Sequence, residues 1–224
     1  MRTSRALLLI LLFIAGSWAA VANAQDPGLQ PKYGLMSKTP TQQAADEKFL
    51  AQIDATYKGD RKKAANEIAE GGWDLLHQGK APEAMQRFNQ AWLVDSTNAR
   101  AIWGMGAVQA NMGKGPDSLK LFAEAEPAMR GDVGFLADYA KALGIAGAQT
   151  GNRATLQDAF ARFQQIYQKD PQLTSNLQNW AITLFYVGDY AQAWQKVKLA
   201  EATPGRAGLD ASFLAALQRK MPRP

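Results

Sequence analysis

Few residues in this chain could do covalent or metal chemistry. It has one histidine, His77, and no cysteine among 224 residues. A single imidazole excludes any paired-histidine metal site, and the missing thiols exclude disulfides, thiolate zinc, iron–sulfur clusters and a cysteine nucleophile. His77 has no second ligand type beside it and reads as a surface or groove histidine. Gly113-Lys114-Gly115 resembles part of a phosphate loop, but Val108 stands where the earlier glycine is required and no strand precedes it. Gly104-Met105-Gly106 is half of a dinucleotide fingerprint with Gln109 in place of the third glycine, and reads as close helix packing. Glu124 and Glu126 point to different sides of a helix. No G-x-S-x-G, H-E-x-x-H or calcium-loop pattern occurs. The residues predict a non-enzymatic protein without metal or cofactor.

What remains is recognition chemistry: six Trp, six Tyr and nine Phe in a chain that is 47% hydrophobic and 20% charged. That composition predicts a folded domain or repeat array, not a disordered chain. Arg2 and Arg5 precede the apolar run from Ala6 to Ala15, and Ala22-Asn23-Ala24 supplies a small-residue cleavage site. Residues 1–24 therefore read as a secretory signal peptide cut after Ala24, the alternative being an uncleaved membrane anchor. With no cysteine for a lipid anchor, the expectation is an exported, periplasmic protein without an integral span after cleavage. The formal charge of +5 falls with the loss of Arg2 and Arg5 to 23 basic against 20 acidic residues. Bases and acids alternate along the chain, which argues against nucleic acid as a partner.

Elements must position these side chains. Residues 25–38, with Pro27, Gly28, Pro31 and Gly34, read as an extended arm anchored by Tyr33 and Leu35. Thr39-Pro40-Thr41-Gln42 starts a helix with a capping box, and Ala45, Phe49, Ile53 and Tyr57 make its apolar stripe. Residues 39–64 thus form an N-terminal capping helix and its connection. A second helix runs from Arg61 toward His77. Beyond it the chain repeats with a period of 34: Gly72 and Gly106, Gly79 and Gly113, Phe88 and Phe122, Ala91 and Ala125, then Ala159 and Ala193. That period suits a helix–turn–helix solenoid.

The pattern resembles the tetratricopeptide repeat (TPR) family. A first repeat over 65–98 carries Gly72, Gly79, Ala84 and Phe88; a second over 99–132 carries Gly106, Gly113 and Phe122. A third over 133–173 carries Ala159, Phe163 and Pro171, with seven extra residues near 147–153. A fourth over 174–205 carries Trp180, Gly188 and Ala193. The insertion is either an added binding loop or a tolerated lengthening. Residues 206–224 read as a C-terminal capping helix, starting at Asp210, and a tail. The resemblance implies an all-α, right-handed solenoid of helical hairpins, about four TPR-like repeats with capping helices at both ends.

It also implies that the first helix of each repeat lines a concave groove. The matching outward positions are Asn66, Trp73, His77, Arg100, Trp103, Asn111, Lys141, Gln178, Asn179 and Tyr186, together with Ala107, Asp138, Ile182 and Phe185. Trp92, Trp180 and Trp194 fall at core positions; Trp103 is ambiguous, and Trp73 is expected to be exposed in the groove. The lysine, arginine and asparagine clamp with which some members hold acidic chaperone tails is absent: its positions carry Ala69, Trp73, Gly104, Gly134 and Asp138. The expected function is a protein–protein interaction adaptor of the bacterial cell envelope, an accessory to pilus or secretion machinery, holding a peptide or helix of an envelope protein. The alternatives are a periplasmic holdase-like chaperone and a small-ligand carrier or enzyme using His77. Oligomeric state is open.

Overall fold

A computed structural model describes residues 26–224; the signal segment expected at 1–24 lies outside the described residues. Ten α-helices and no strand occur among them: α1 Pro40–Tyr57, α2 Arg61–His77, α3 Ala81–Val94, α4 Ala99–Asn111, α5 Gly115–Met129, α6 Val133–Thr150, α7 Arg153–Lys169, α8 Thr174–Tyr186, α9 Tyr190–Glu201 and α10 Ala211–Lys220. Local chemistry sets several of these ends. The Gln42 N–H donates to the Thr39 hydroxyl at 3.3 Å, and the Thr39 N–H donates to Gln42 Oε1 at 2.9 Å, closing the box that starts α1. The Asp210 carboxylate accepts from the Ser212 and Phe213 N–H groups and starts α10. Hairpins turn at Gly79, Gly113 and Gly188, all at positive φ, where an L side chain would strain the backbone.

Helices α2–α3, α4–α5, α6–α7 and α8–α9 pack as consecutive hairpins. The first helices also pack on one another in succession, α2 on α4, α4 on α6 and α6 on α8, whereas the second helices meet chiefly the first helices. Such an arrangement is a helical solenoid whose inner layer is α2, α4, α6 and α8. Close approach depends on small residues opposite rings. A Cβ at Gly72 would lie 2.6 Å from Cε1 of Phe88, and one at Gly104 would enter the same ring. Phe88, Phe122 and Phe163 are wholly buried, as are Ala84, Ala159 and Ala193. Trp180 and Trp194 are buried, but Trp92 is only half-buried, at the edge of α3 beneath the arm.

The seven extra residues of the third repeat do not make a loop. α6 has 18 residues against 13 in α4 and α8, α7 has 17 against 15 in α5, and only Gly151 and Asn152 join the two. The turn glycine at φ +68 is Gly151, while Gly147, which stands 34 residues after Gly113, lies inside α6 against Leu156. Lengthening both helices pairs inserted amides within a helix, where a loop would leave them to water.

The arm is not extended either. It forms 3-10 turns at Pro27–Leu29 and Pro31–Leu35 and lies on α3. Asn89, wholly buried, donates from Nδ2 to the Gly28 and Gln30 carbonyls at 2.9 and 2.8 Å. Lys32 Nζ meets Glu124 of α5 at 2.5 and 2.6 Å. Lys32, Tyr33 and Leu35 all have φ near +54, and Gly34 is at +66. For non-glycine residues this region costs roughly 1–2 kcal/mol each, so the turn persists only because its flanks are anchored. At the far end, α1 covers Ala64, Ala65 and Val94 with Phe49, Leu50, Ile53 and Tyr57, all short of full burial.

This packing can be tested at two residues. Gly104→Ala forces Phe88 off its seat and is expected to lower the unfolding free energy by about 1–3 kcal/mol in a denaturant titration. The Tyr33 phenol is pushed up to about 12, first by burial and then by the Asp46 charge. Its contribution is present below the ordinary phenol value near 10 and is lost as pH rises through about 12. Tyrosinate absorbance should show a last ionisation near 12 that Tyr33→Phe removes.

Candidate functional site

The inner layer of helices leaves one large cavity of about 1150 Å³. Nine of the ten expected groove residues line it: Trp73 and His77 from α2, Arg100, Trp103 and Asn111 from α4, Lys141 from α6, and Gln178, Asn179 and Tyr186 from α8. Asn66 does not; it lies toward the start of α2, where its Oδ1 accepts from Asn98 Nδ2 at 2.7 Å. A polar side chain at a matching repeat position is there spent on joining two hairpins.

Exposure divides the nine. His77, Asn111 and Tyr186 are exposed, and Arg100 and Gln178 are half-buried. Trp73 and Trp103 are each only 6% exposed, so the expectation of an exposed Trp73 is corrected. The two indoles sit 4.4 Å apart between centroids, Trp73 also meets Phe88 edge-on, and Trp103 meets Phe135 edge-on. The Arg100 guanidinium lies over both indoles at 5.7 and 5.5 Å, held by Glu70 across from α2. Burying two large rings beneath a paired cation makes this end of the cavity a wall, not a contact face.

The centre of the floor is a polar node. Asp138 accepts from Trp103 Nε1 at 3.1 Å and from Asn179 Nδ2 at 2.9 Å. Lys141, 8% exposed, donates to Asn111 Oδ1 at 3.0 Å and stands 3.9 Å from Asp138. These contacts tie α4, α6 and α8 together. Few buried charges are tolerated without such partners. Residues 205–212 and α10 close the opposite side, a wall that repeat register did not reveal. There the Asp210 N–H donates to Gln178 Oε1 at 2.6 Å, and Phe213 packs edge-on against Phe185. The Asp210 carboxyl is below its usual value: burial pushes it up, but the Ser212 hydroxyl, two backbone N–H groups and the Lys141 charge outweigh that. The Asp210 cap was legible in the sequence, but no sequence signal tells which face of the solenoid α10 covers.

The accessible lining is thus amide, aromatic and aliphatic: His77, Gln78, Asn111, Gln178, Ile182, Phe185 and Tyr186. Among the described residues no group of three or more His, Asp or Glu side chains is placed to hold a metal ion, and no helix is long and apolar enough to cross a membrane.

The fold agrees with comparison to a solved structure. The chain is similar to the crystal structure of TTC0263, a thermophilic TPR protein of Thermus thermophilus. They share 17% identity with a TM-score of 0.56, over 71% of this chain and 84% of that one. The fold is therefore that of TPR proteins. No family model and no curated protein sequence matches the chain.

Removing the node's acceptor should be costly. Asp138→Ala leaves the Trp103 N–H and one Asn179 donor without their acceptor and strips Lys141 of its neighbouring charge, and is expected to lower stability by about 3 kcal/mol, measured by equilibrium unfolding.

Proposed function

We propose that this protein is a non-enzymatic interaction adaptor of the bacterial cell envelope that holds a segment of a partner protein in its inner cavity. The observation that carries the reading is the cavity itself: about 1150 Å³ bounded by a fixed polar node and buried indoles, with exposed amides and aromatics above them. A preorganised floor lowers the ordering cost of binding, and Tyr, Phe and amide side chains suit an extended backbone or a partner helix. The signal-like segment at 1–24 supports export, and a role beside pilus or secretion machinery is the finer form of the proposal. Ile182, Phe185 and Phe213 along one wall favour, as a second reading, a holdase that takes several unfolded clients.

Photo-crosslinkers at His77 and Tyr186, in the native host, test this without disturbing the buried floor. One dominant envelope protein captured at both positions, and not from an outer-face control at Lys198, is the expected result. A broad set of clients would favour the holdase, and capture no greater than at Lys198 would remove both readings. N-terminal sequencing of the protein from the host is expected to begin at Gln25.

A further inference from the structure

The arm and its seat carry an inference independent of the cavity. The seat is built to read main chain. Asn89 is wholly buried on α3, and its Nδ2 satisfies two carbonyls of the arm, Gly28 and Gln30. Glu124 on α5 then pairs with Lys32. The arm tip is attached by these polar contacts and by packing on α3, where Lys32 lies over Trp92, with no backbone ladder to the body. To reach its own seat, the chain must pass through the left-handed turn at Lys32–Leu35, three of whose four residues are not glycine. That same turn leaves Leu35 76% and Met36 57% exposed, the two most exposed large apolar residues among the described ones. A short strained hinge beside a specific seat is the arrangement that invites exchange of a segment between copies.

We propose that the arm tip, residues 26–32, is exchanged between two copies of this chain, each placing its tip in the other's seat on α3 and α5. In the exchanged form residues 32–36 straighten, spanning up to about 17 Å. The left-handed strain is released, and Leu35 and Met36 become the crossing point between copies. The occupant is a second copy because the seat is complementary to this sequence: two carbonyls two residues apart, then a cation two residues on.

Leu35 is exposed, so its substitution tests the hinge without touching the core. Leu35→Gly accepts positive φ and should hold the chain monomeric. Leu35→Pro fixes φ near −65°, forbids the turn, and should raise the dimer fraction at least tenfold at equal concentration. Asn89→Ala, lacking the seat, should be monomeric throughout. Light scattering on protein purified from its host, over a concentration series, reads all three, with circular dichroism confirming helix content. A folded Leu35→Pro variant that remains monomeric overturns the proposal, as does a dimer that Asn89→Ala leaves intact. Should Leu35→Pro fail to fold, the unsubstituted chain decides: a dimer rising with concentration and abolished by Asn89→Ala supports exchange, and its absence rejects it.

Discussion

The close approach of helices around buried phenylalanine rings is the constraint on which the rest of the structure depends. Phe88 sits where Gly72 of its own hairpin and Gly104 of the next both lack a side chain. Because one ring fills both gaps, the packing of α2 on α3 and of α3 on α4 is a single event. Phe122 repeats the device against Gly106. Where α6 meets α8, Gly144 admits Thr183 directly. Native-density packing of this kind fixes the spacing of the inner helices, and the spacing fixes the cavity between them.

Electrostatics is arranged around that spacing, not against it. A half-buried carboxylate and a buried ammonium sit on one helix, Asp138 and Lys141, and their partners come from the helices on either side. The node can form only if α4, α6 and α8 are in register, so a misregistered stack loses it. At the ends of the array the demands are looser. α1 covers small alanines with half-buried side chains, and α10 fits its Phe213 and Leu217 against the last hairpin while Trp194 donates to the Met221 carbonyl at 3.0 Å. End helices of this sort supply the polar outer face that an open stack lacks.

The helical repeat, its period and most helix starts were legible in the sequence, because capping, turn glycines and small-to-large spacing are local properties. α1, α2 and α10 begin at the residues their caps and spacing indicate. The groove positions were legible through repeat register, which places side chains on a face. Register does not tell how deep a side chain sits. Trp73 and Trp103 share a face with Tyr186, yet the first two are buried by each other and by Arg100, and the last is 44% exposed.

Local signals in the chain are therefore one-dimensional: they mark which segments are helices, where they turn, and which residue of each pair is small. Packing in three dimensions set the lengthening of α6 and α7, where Leu156 fits against Gly147. Only it decided that α10 and residues 205–212 wall the cavity, and that the arm curls onto Asn89. The last two outcomes depend on contacts between residues far apart in the chain, 32 positions for Gln178 with Asp210 and 92 for Lys32 with Glu124. Such contacts are selected by shape and desolvation, which leave no periodic trace in the chain.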